Sequence, residues 1–257
     1  MVNIFVCVIG SFEIPCYSKF IAMRKAQMNE LGIPYMFIYD DITPPEYPFD
    51  SKTDICIPKI KPPYPVANEL NSRPTALNPH MILKFLKALQ TIDESKYDYI
   101  IRVNLSTFIH FENLRTILQE ASRTKYAGGN TMKFPIANWR ANPVDPFEFI
   151  SGTCMIFSKD VITMLKTIEY EYYILYEHND DVVLSYLVKL YTEHFHHIPM
   201  RFIENDSYPT KEDIHTYSIF RIKHYINRDR DIDTWKFLLQ NIYSYVNPIF
   251  CKATSDS

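Results

Sequence analysis

VNIFVCVI, residues 2–9, is apolar at every position but Asn3 and rich in β-branched side chains, and its reading decides the fold. A strand covered on only one face alternates apolar and polar residues. A run so little interrupted suits a central parallel strand with helices packed on both faces. Gly10-Ser11 ends it. Ser18–Leu31 then places Phe20, Met23, Ala26 and Leu31 at helical spacing, and Gly32 is a suitable stop. YMFIY, residues 35–39, is a second strand closed by Asp40-Asp41. Strand, helix and strand form a β-α-β unit, whose crossover is expected to be right-handed.

Beyond this unit, residues 43–79 are rich in proline and poor in helix signals, with one short strand expected at Asp54–Ile57. A proline-rich stretch of this length in a compact domain reads as a functional loop. Pro79–Ile92 is an amphipathic helix with Met81, Ile82, Phe85, Leu86 and Leu89 on one face. Tyr99–Val103 is the next strand and Phe111–Ser122 the next helix. Residues 126–148 read as irregular because of Gly128-Gly129 and the prolines that follow. Strands are expected at Glu148–Phe157, His197–Ile203 and Ile219–Tyr225, and helices at Lys159–Ile168, Asp180–Tyr191 and Asp233–Tyr245. The alternation predicts an α/β fold: a mainly parallel, Rossmann-like sheet with flanking helices, in one domain spanning residues 1–257.

Composition narrows the partners. The 257 residues are 47% hydrophobic and 22% charged, an ordinary globular mixture. Nineteen tyrosines offer rings that stack and hydroxyls that hydrogen-bond, although base composition of the gene explains them equally well. The net charge is −3 and no basic stripe runs along a helix, which argues against a nucleic-acid partner. The apolar run 2–9 is too short for a transmembrane segment and has neither a basic region before it nor a cleavage site after it. Cys7, Cys16, Cys56, Cys154 and Cys251 are scattered, with no Cys-x-x-Cys pair. Buried thiols in a reducing, cytoplasmic setting are therefore expected rather than zinc or disulfides.

In parallel sheets, ligands bind beyond the carboxyl ends of the strands, so residues just after strands carry the functional expectations. Asn104 and Ser106 follow the strand Tyr99–Val103 at a spacing of two and could face one cleft, or could form a strand-ending turn. Asn104-Leu105-Ser106 also matches a glycosylation sequon, which needs a secretory context. Arg102 lies inside that apolar strand and needs a partner, either an acidic side chain or a bound ligand. Gly152, after Ser151, suits a close approach of another group, or a bulge. Asp180 and Asp181 open a helix. One carboxylate can cap the free amides there and the other can act as a general base. Arg221 and Lys223 share one face of a strand, with His224 on the other, followed by Arg228 and Arg230. They read as a site for a phosphate-bearing ligand or as a solvated edge. His194, His196 and His197 lack clean metal-ligand spacing and read as surface or strand histidines.

Four segments, YDYIIRVNLSTF (97–108), FISGTCMIFSKDV (149–161), HNDDVVLSYL (178–187) and FRIKHY (220–225), together with NSRPTALNPHMILKFLKAL (71–89), resemble glycosyltransferases of the GT-A fold. The resemblance is strongest to small ones encoded by large DNA viruses. It covers residues 68–245, and the first 60 only as a β-α-β pattern. It implies transfer of a hexosyl or deoxyhexosyl group from a nucleotide-diphosphate sugar, such as a UDP sugar, to a glycan or small-molecule acceptor, with inversion. Residues 1–108 would be the nucleotide-sugar-binding half and 109–257 the acceptor-binding half, with a role in viral glycan building in the host cytoplasm.

By the same resemblance Asn104, Ser106, Arg102, Arg73, Arg221, Lys223 and His224 would meet the donor. Gly152, Ser151, His178 and Asn179 would line the acceptor side. Asp181 would be the base, with Asp180 the alternative. The family's Asp-x-Asp, which holds Mn²⁺ or Mg²⁺, is Asn104-Leu105-Ser106 here. Neutral side chains hold a divalent ion far less well than two carboxylates, so metal dependence is not implied and its ligands stay unassigned. Two other readings remain open. A sugar nucleotidyltransferase would carry a Gly-rich, basic loop after the first strand, which Gly10-Ser11-Phe12-Glu13 is not. A glycan- or nucleotide-sugar-binding module on a decayed transferase scaffold would lack donor hydrolysis.

Overall fold

In the computed structural model, residues 4–9 form the strand β1 (Ile4–Ile9), buried along its whole length and paired on both edges. Its side chains divide between two cores. Ile4, Val6 and Val8 enter one, and Phe5, Cys7 and Ile9 enter the other. This is why the run is apolar at every position rather than at alternate ones. The structure describes residues 2–10, 16–40, 49–58, 80–134, 147–168, 179–204 and 207–243.

The chain leaves β1 through α1 (Tyr17–Glu30) and returns through β2 (Tyr35–Asp40). Gly32 ends α1 with φ of +59°, where the Ile33 amide donates to the Met28 carbonyl, so the expected glycine stop is present. β3 (Asp54–Ile57) follows, then α2 (His80–Leu89), β4 (Tyr99–Asn104), β5 (Thr107–Ile109), α3 (Phe111–Glu120), β6 (Ala127–Phe134) and β7 (Phe147–Ser158). The remainder is α4 (Lys159–Thr167), α5 (Asp180–Lys189), β8 (His196–His197), β9 (Met200–Ile203), α6 (Lys211–Thr216), β10 (Ile219–Ile222) and α7 (Asp229–Ile242). None of the described helices is long and apolar enough to cross a membrane.

The main sheet has seven strands in the order β3-β2-β1-β4-β7-β6-β8. β7 pairs antiparallel with both its neighbours and every other pair is parallel, so β7 alone runs against the rest. The α/β expectation with a mainly parallel sheet is met. Residues of α2, α4 and α5 form the core on one face. α1, α3, α7 and a three-stranded sheet, β5-β10-β9, form the core on the other.

Three expectations need correction. Residues 127–134 are strand, not irregular chain. Gly128-Gly129 marks a bulge, because the β6–β7 register shifts between Gly129 and Thr131. Gly129 has φ of +150°, and a Cβ there would lie 2.5 Å from the Cys154 carbonyl oxygen, so the glycine serves the strand rather than ending it. The expected strand 197–203 divides around Pro199 into β8 and β9, which belong to different sheets. Proline cannot donate to a ladder, which favours a change of partner there. Cys7, Cys16 and Cys154 are buried as expected, but Cys56 is exposed on the edge strand β3. Cys251 lies outside the described residues.

Trp235 of α7 is completely buried, edge-on to Phe20 and Phe108 at 5.1 Å each and beneath the Arg24 guanidinium at 4.6 Å. It joins α1, α7 and the small sheet in one contact. Trp235→Ala is therefore expected to lower stability by about 3–5 kcal/mol, read as an earlier denaturant midpoint with an unchanged slope.

Candidate functional site

From β1 the strand order runs outward through β2 to β3, while β4 lies on the other side of β1. The sheet thus has its switch point between β1 and β4, whose ends are in register at Ile9 and Asn104. A crevice for a ligand opens at such a point. On one bank is Gly10, where a Cβ would collide with the Tyr39 ring at 2.4 Å. Its carbonyl accepts from the buried Lys84 ammonium at 3.3 Å. On the other bank is Asn104, whose Oδ1 is buried and has no partner among the described residues.

Arg102, two residues earlier on β4, is 1% exposed. Its Nη1 donates to the Gly152 carbonyl at 2.6 Å, and its Nη2 is ion-paired with Asp180. The acidic partner that its sequence context demanded is thus Asp180, at the start of α5. Asp181 is held differently. Its Oδ2 accepts from the Gly152 amide at 3.0 Å and its Oδ1 from the Val182 amide at 2.9 Å. Burial, and next the Asp180 charge, raise the Asp181 pKa above the ordinary aspartate value. Asn179 is the N-cap and makes no side-chain capping bond. Of the two aspartates, Asp181 is thus the one that takes a free first-turn amide, that of Val182, while its other oxygen ties it to β7, and Asp180 neutralises Arg102.

Gly152 is needed for this packing. A Cβ there would lie 2.8 Å from Arg102 Nη1 and 3.0 Å from the Asp181 Cβ. The groups that approach Gly152 closely are these side chains. Ser151 is buried, and its hydroxyl bonds the Thr153 hydroxyl at 3.1 Å.

A second cluster stands at the first turn of α1. Arg221 Nη1 donates to the Ser106 hydroxyl. Arg228 Nε lies 2.8 Å from Asp231 Oδ2, and its guanidinium lies over the Tyr17 ring at 5.7 Å. Lys223 lies over the Tyr225 ring at 4.8 Å. Burial, then its neighbours Arg221 and Arg228, lower the Lys223 pKa, and burial lowers that of Arg221. Among the described residues, neither Arg221 nor Lys223 has a carboxylate within ion-pairing distance. Arg221, Lys223 and Arg228 thus lie close together, with Arg221 and Arg228 beside Tyr17 of the first turn of α1. His224 faces the other way and is buried, its amide and Nδ1 both on Asp231 Oδ1, at 2.8 and 2.7 Å.

The two clusters are joined. Ser106 carries Arg221, and Thr107 donates to the Thr153 carbonyl at 3.2 Å, next to Gly152. β4 ends at Asn104 and the chain turns before β5, so the spacing of two does not by itself put Asn104 and Ser106 on one face. Ser106 instead turns its hydroxyl to β10. Arg73 and His178 lie outside the described residues. Sequence reasoning missed Lys84, Asp231, Tyr17 and the Thr107–Thr153 link. An ionisable residue at a core position of α2 was the available sign for Lys84. Nothing local marked the others.

The residues after β4 do not fit a divalent cation. Ser106 is already bound by a guanidinium, and a metal there would sit against like charge. No group of three metal-capable side chains occurs among the described residues. His196, in β8, lies flat on the Tyr126 ring at 4.4 Å, and His194, outside the strand, is tilted against the His196 ring at 4.6 Å.

No protein-family model and no curated protein matches the chain. Among solved structures, it resembles a glycosyltransferase involved in glycosylation of the major capsid of PBCV-1, at 10% identity and a TM-score of 0.46, over 93% of this chain and 99% of that one. It also resembles the catalytic domain of Drosophila β1,4-galactosyltransferase 7 in complex with xylobiose, at 10% identity and a TM-score of 0.37, over 77% of this chain and 65% of that one. Likeness at this level carries no functional weight; the chemistry rests on the site itself.

Asp180→Asn is expected to cost about 3 kcal/mol, because it leaves the buried Arg102 charge unpaired. Arg102→Met in the same chain should recover much of this, since no charge then remains. Denaturant melts of the single and double variants check it, and equal losses in both would show that the pair does not act as a unit.

Proposed function

We propose that the chain is a GT-A glycosyltransferase that moves a hexosyl or deoxyhexosyl group from a nucleotide-diphosphate donor to a hydroxyl of a glycan or small acceptor, with inversion. One observation carries the reading. A cation cluster in which, among the described residues, Arg221 and Lys223 have no carboxylate partner, and a half-buried aspartate with a raised pKa, are linked through Ser106, Thr107, Thr153 and Gly152. Glycosyl transfer needs both: positive charge where the diphosphate leaves, and a base where the acceptor is deprotonated.

In this reading the nucleoside lies in the β1–β4 crevice, with Asn104 Oδ1 accepting from a ribose hydroxyl. The diphosphate meets Arg221, Lys223, Arg228 and the amides of α1. As the bond between the anomeric carbon and the phosphate oxygen breaks, the electron pair stays on the diphosphate, and these cations stabilise it. The acceptor oxygen bonds to the opposite face of that carbon while its proton passes to Asp181. The products are the glycoside, the nucleoside diphosphate and protonated Asp181. Gly152 and Val182 fix the carboxylate but leave it lone pairs for that proton. Asp180 is neutralised by Arg102 and does not compete for it. Guanidinium and ammonium groups supply the charge that the family draws from a divalent ion, and no step passes through a metal. Residues 1–108 carry the nucleotide in this scheme, residues 109–257 the acceptor, and the protein works in the cytoplasm.

Asp181→Asn is expected to reduce turnover of a UDP or GDP sugar by about 10²–10⁴-fold. Nucleoside diphosphate affinity, read by calorimetry, should stay near normal. Normal turnover in this variant would sink the mechanism. With pH, kcat/KM should rise through an acid limb above the ordinary aspartate range, because the base must ionise against burial and Asp180. Stability runs the other way. A carboxyl whose folded pKa is raised contributes stability below its unfolded pKa, and that contribution is lost as pH rises through the folded one.

Arg221→Ala and Asn104→Ala should each weaken UDP or GDP binding, and binding by the unaltered chain should survive EDTA. Complete loss in EDTA, restored only by Mn²⁺, would overturn the metal-free reading.

A further inference from the structure

The core between α1 and α7 holds a charge that nothing around it neutralises. Arg24, on the inner face of α1, is completely buried. Its Nε, Nη1 and Nη2 have no hydrogen-bond partner among the described residues, and no carboxylate among them pairs with it. The guanidinium lies over the Trp235 ring at 4.6 Å. The ionisable groups that act on it are Cys154 and Tyr243, and burial pushes both up to about 12, so neither carries a charge at neutral pH. A ring face compensates a cation far less than a carboxylate does, and an unpaired interior charge destabilises a fold. Methionine would fill much the same space without that penalty.

Both helices that hold Arg24 also carry the cation cluster. Arg24 is two helical turns beyond Tyr17 on α1, and helical side chains lean toward the helix N-terminus. That places its charge within about 10 Å, along the axis, of the first turn, where Arg228 lies over the Tyr17 ring. Trp235, the ring it covers, is one turn beyond Asp231 on α7, the carboxylate that pairs with Arg228 and His224. We infer that Arg24 is a fourth cation of the diphosphate site, one that never touches the ligand and attracts it through the apolar core between α1 and α7. The inference rests on the transferase reading. Attraction between charges falls only as the inverse of distance, and in a packed interior the dielectric is low and salt screens little. In the free chain the Arg24 charge is uncompensated. A diphosphate over the first turn of α1 supplies the anion it lacks. The residue type fits this use, because a lysine in such surroundings sheds its proton readily and a guanidinium does not. Burial lowers the Arg24 pKa to about 9, which is still above neutrality.

The test uses the full chain with Arg24→Met and Arg24→Leu, which remove the charge and leave apolar side chains of two different shapes. Calorimetry follows uridine, UMP and UDP, and guanosine, GMP and GDP, while thermal melts follow stability. Both variants are expected to melt higher than the unaltered chain, by roughly 5 °C, because an unpaired charge has gone. Affinity for UDP or GDP should nonetheless fall about tenfold. The monophosphate should lose less and the nucleoside nothing. A merely structural role does not grade the loss by ligand charge, since all three ligands share the nucleoside. Equal weakening of all three overturns the inference, and so does unchanged UDP and GDP affinity. A lower melting temperature in both variants also overturns it, because the charge then serves the fold through Trp235. An unaltered chain that binds neither UDP nor GDP is a distinct result, which brings down the transferase reading and this inference with it.

Discussion

A guanidinium buried in the middle of a sheet sets the terms for much of this molecule. Arg102 sits on a central strand between Cys7 and Met155, where an uncompensated charge would cost several kcal/mol. It needs an acceptor on β7 and an anion on the covering helix, and it finds the Gly152 carbonyl and Asp180. Those two contacts fix the start of α5 against β7. They also leave room for no side chain at residue 152. Asp181 then falls where the Gly152 amide can reach it. The geometry of the proposed base is thus a consequence of how a strand charge is accommodated.

The cation cluster shows the complementary arrangement. One buried carboxylate, Asp231, accepts from the His224 amide and ring and pairs with Arg228. It binds the chain after β10 to the start of α7. Its charge is divided among those groups, and Arg221 and Lys223 receive little of it. Burial depresses their pKa values first, and repulsion from neighbouring cations, Arg228 on both and Arg221 on Lys223, depresses them further. A polyanionic ligand would relieve that repulsion, and a metal ion would aggravate it.

The fold was legible in the sequence where the physics is local. The unbroken apolar run of β1, the glycine after α1 and the amphipathic face of α2 each imply one structure. Asp54–Ile57 is a strand with the bounds its residues suggest. What was not legible depends on partners distant in sequence. Gly128-Gly129 reads as a break until β7 lies beside it. Arg24 occupies a helix position that charge alone assigns to the surface, yet it is fully buried on Trp235, and burial lowers its pKa to about 9. The candidate site follows the same rule. The residue types after β4 and at the head of α5 suggested chemistry. Only the fold assigned Asp180 to Arg102 and Ser106 to Arg221, partners 78 and 115 residues away.

The sheet's strand order also governs how the chain can fold. β1 has β2 within reach soon after it forms, but its other edge waits for β4, with Ile4 pairing Tyr99 about 95 residues later. On a ribosome adding about 5–20 residues per second, that edge stays open on the order of 5–20 s. During that time an apolar strand presents an unpaired ladder, the condition that favours association between chains. Closing so distant a pair carries a large loop entropy, so sheet completion is the slow step. A strand buried along its whole length in the finished protein is thus exposed to misassembly while it is being made.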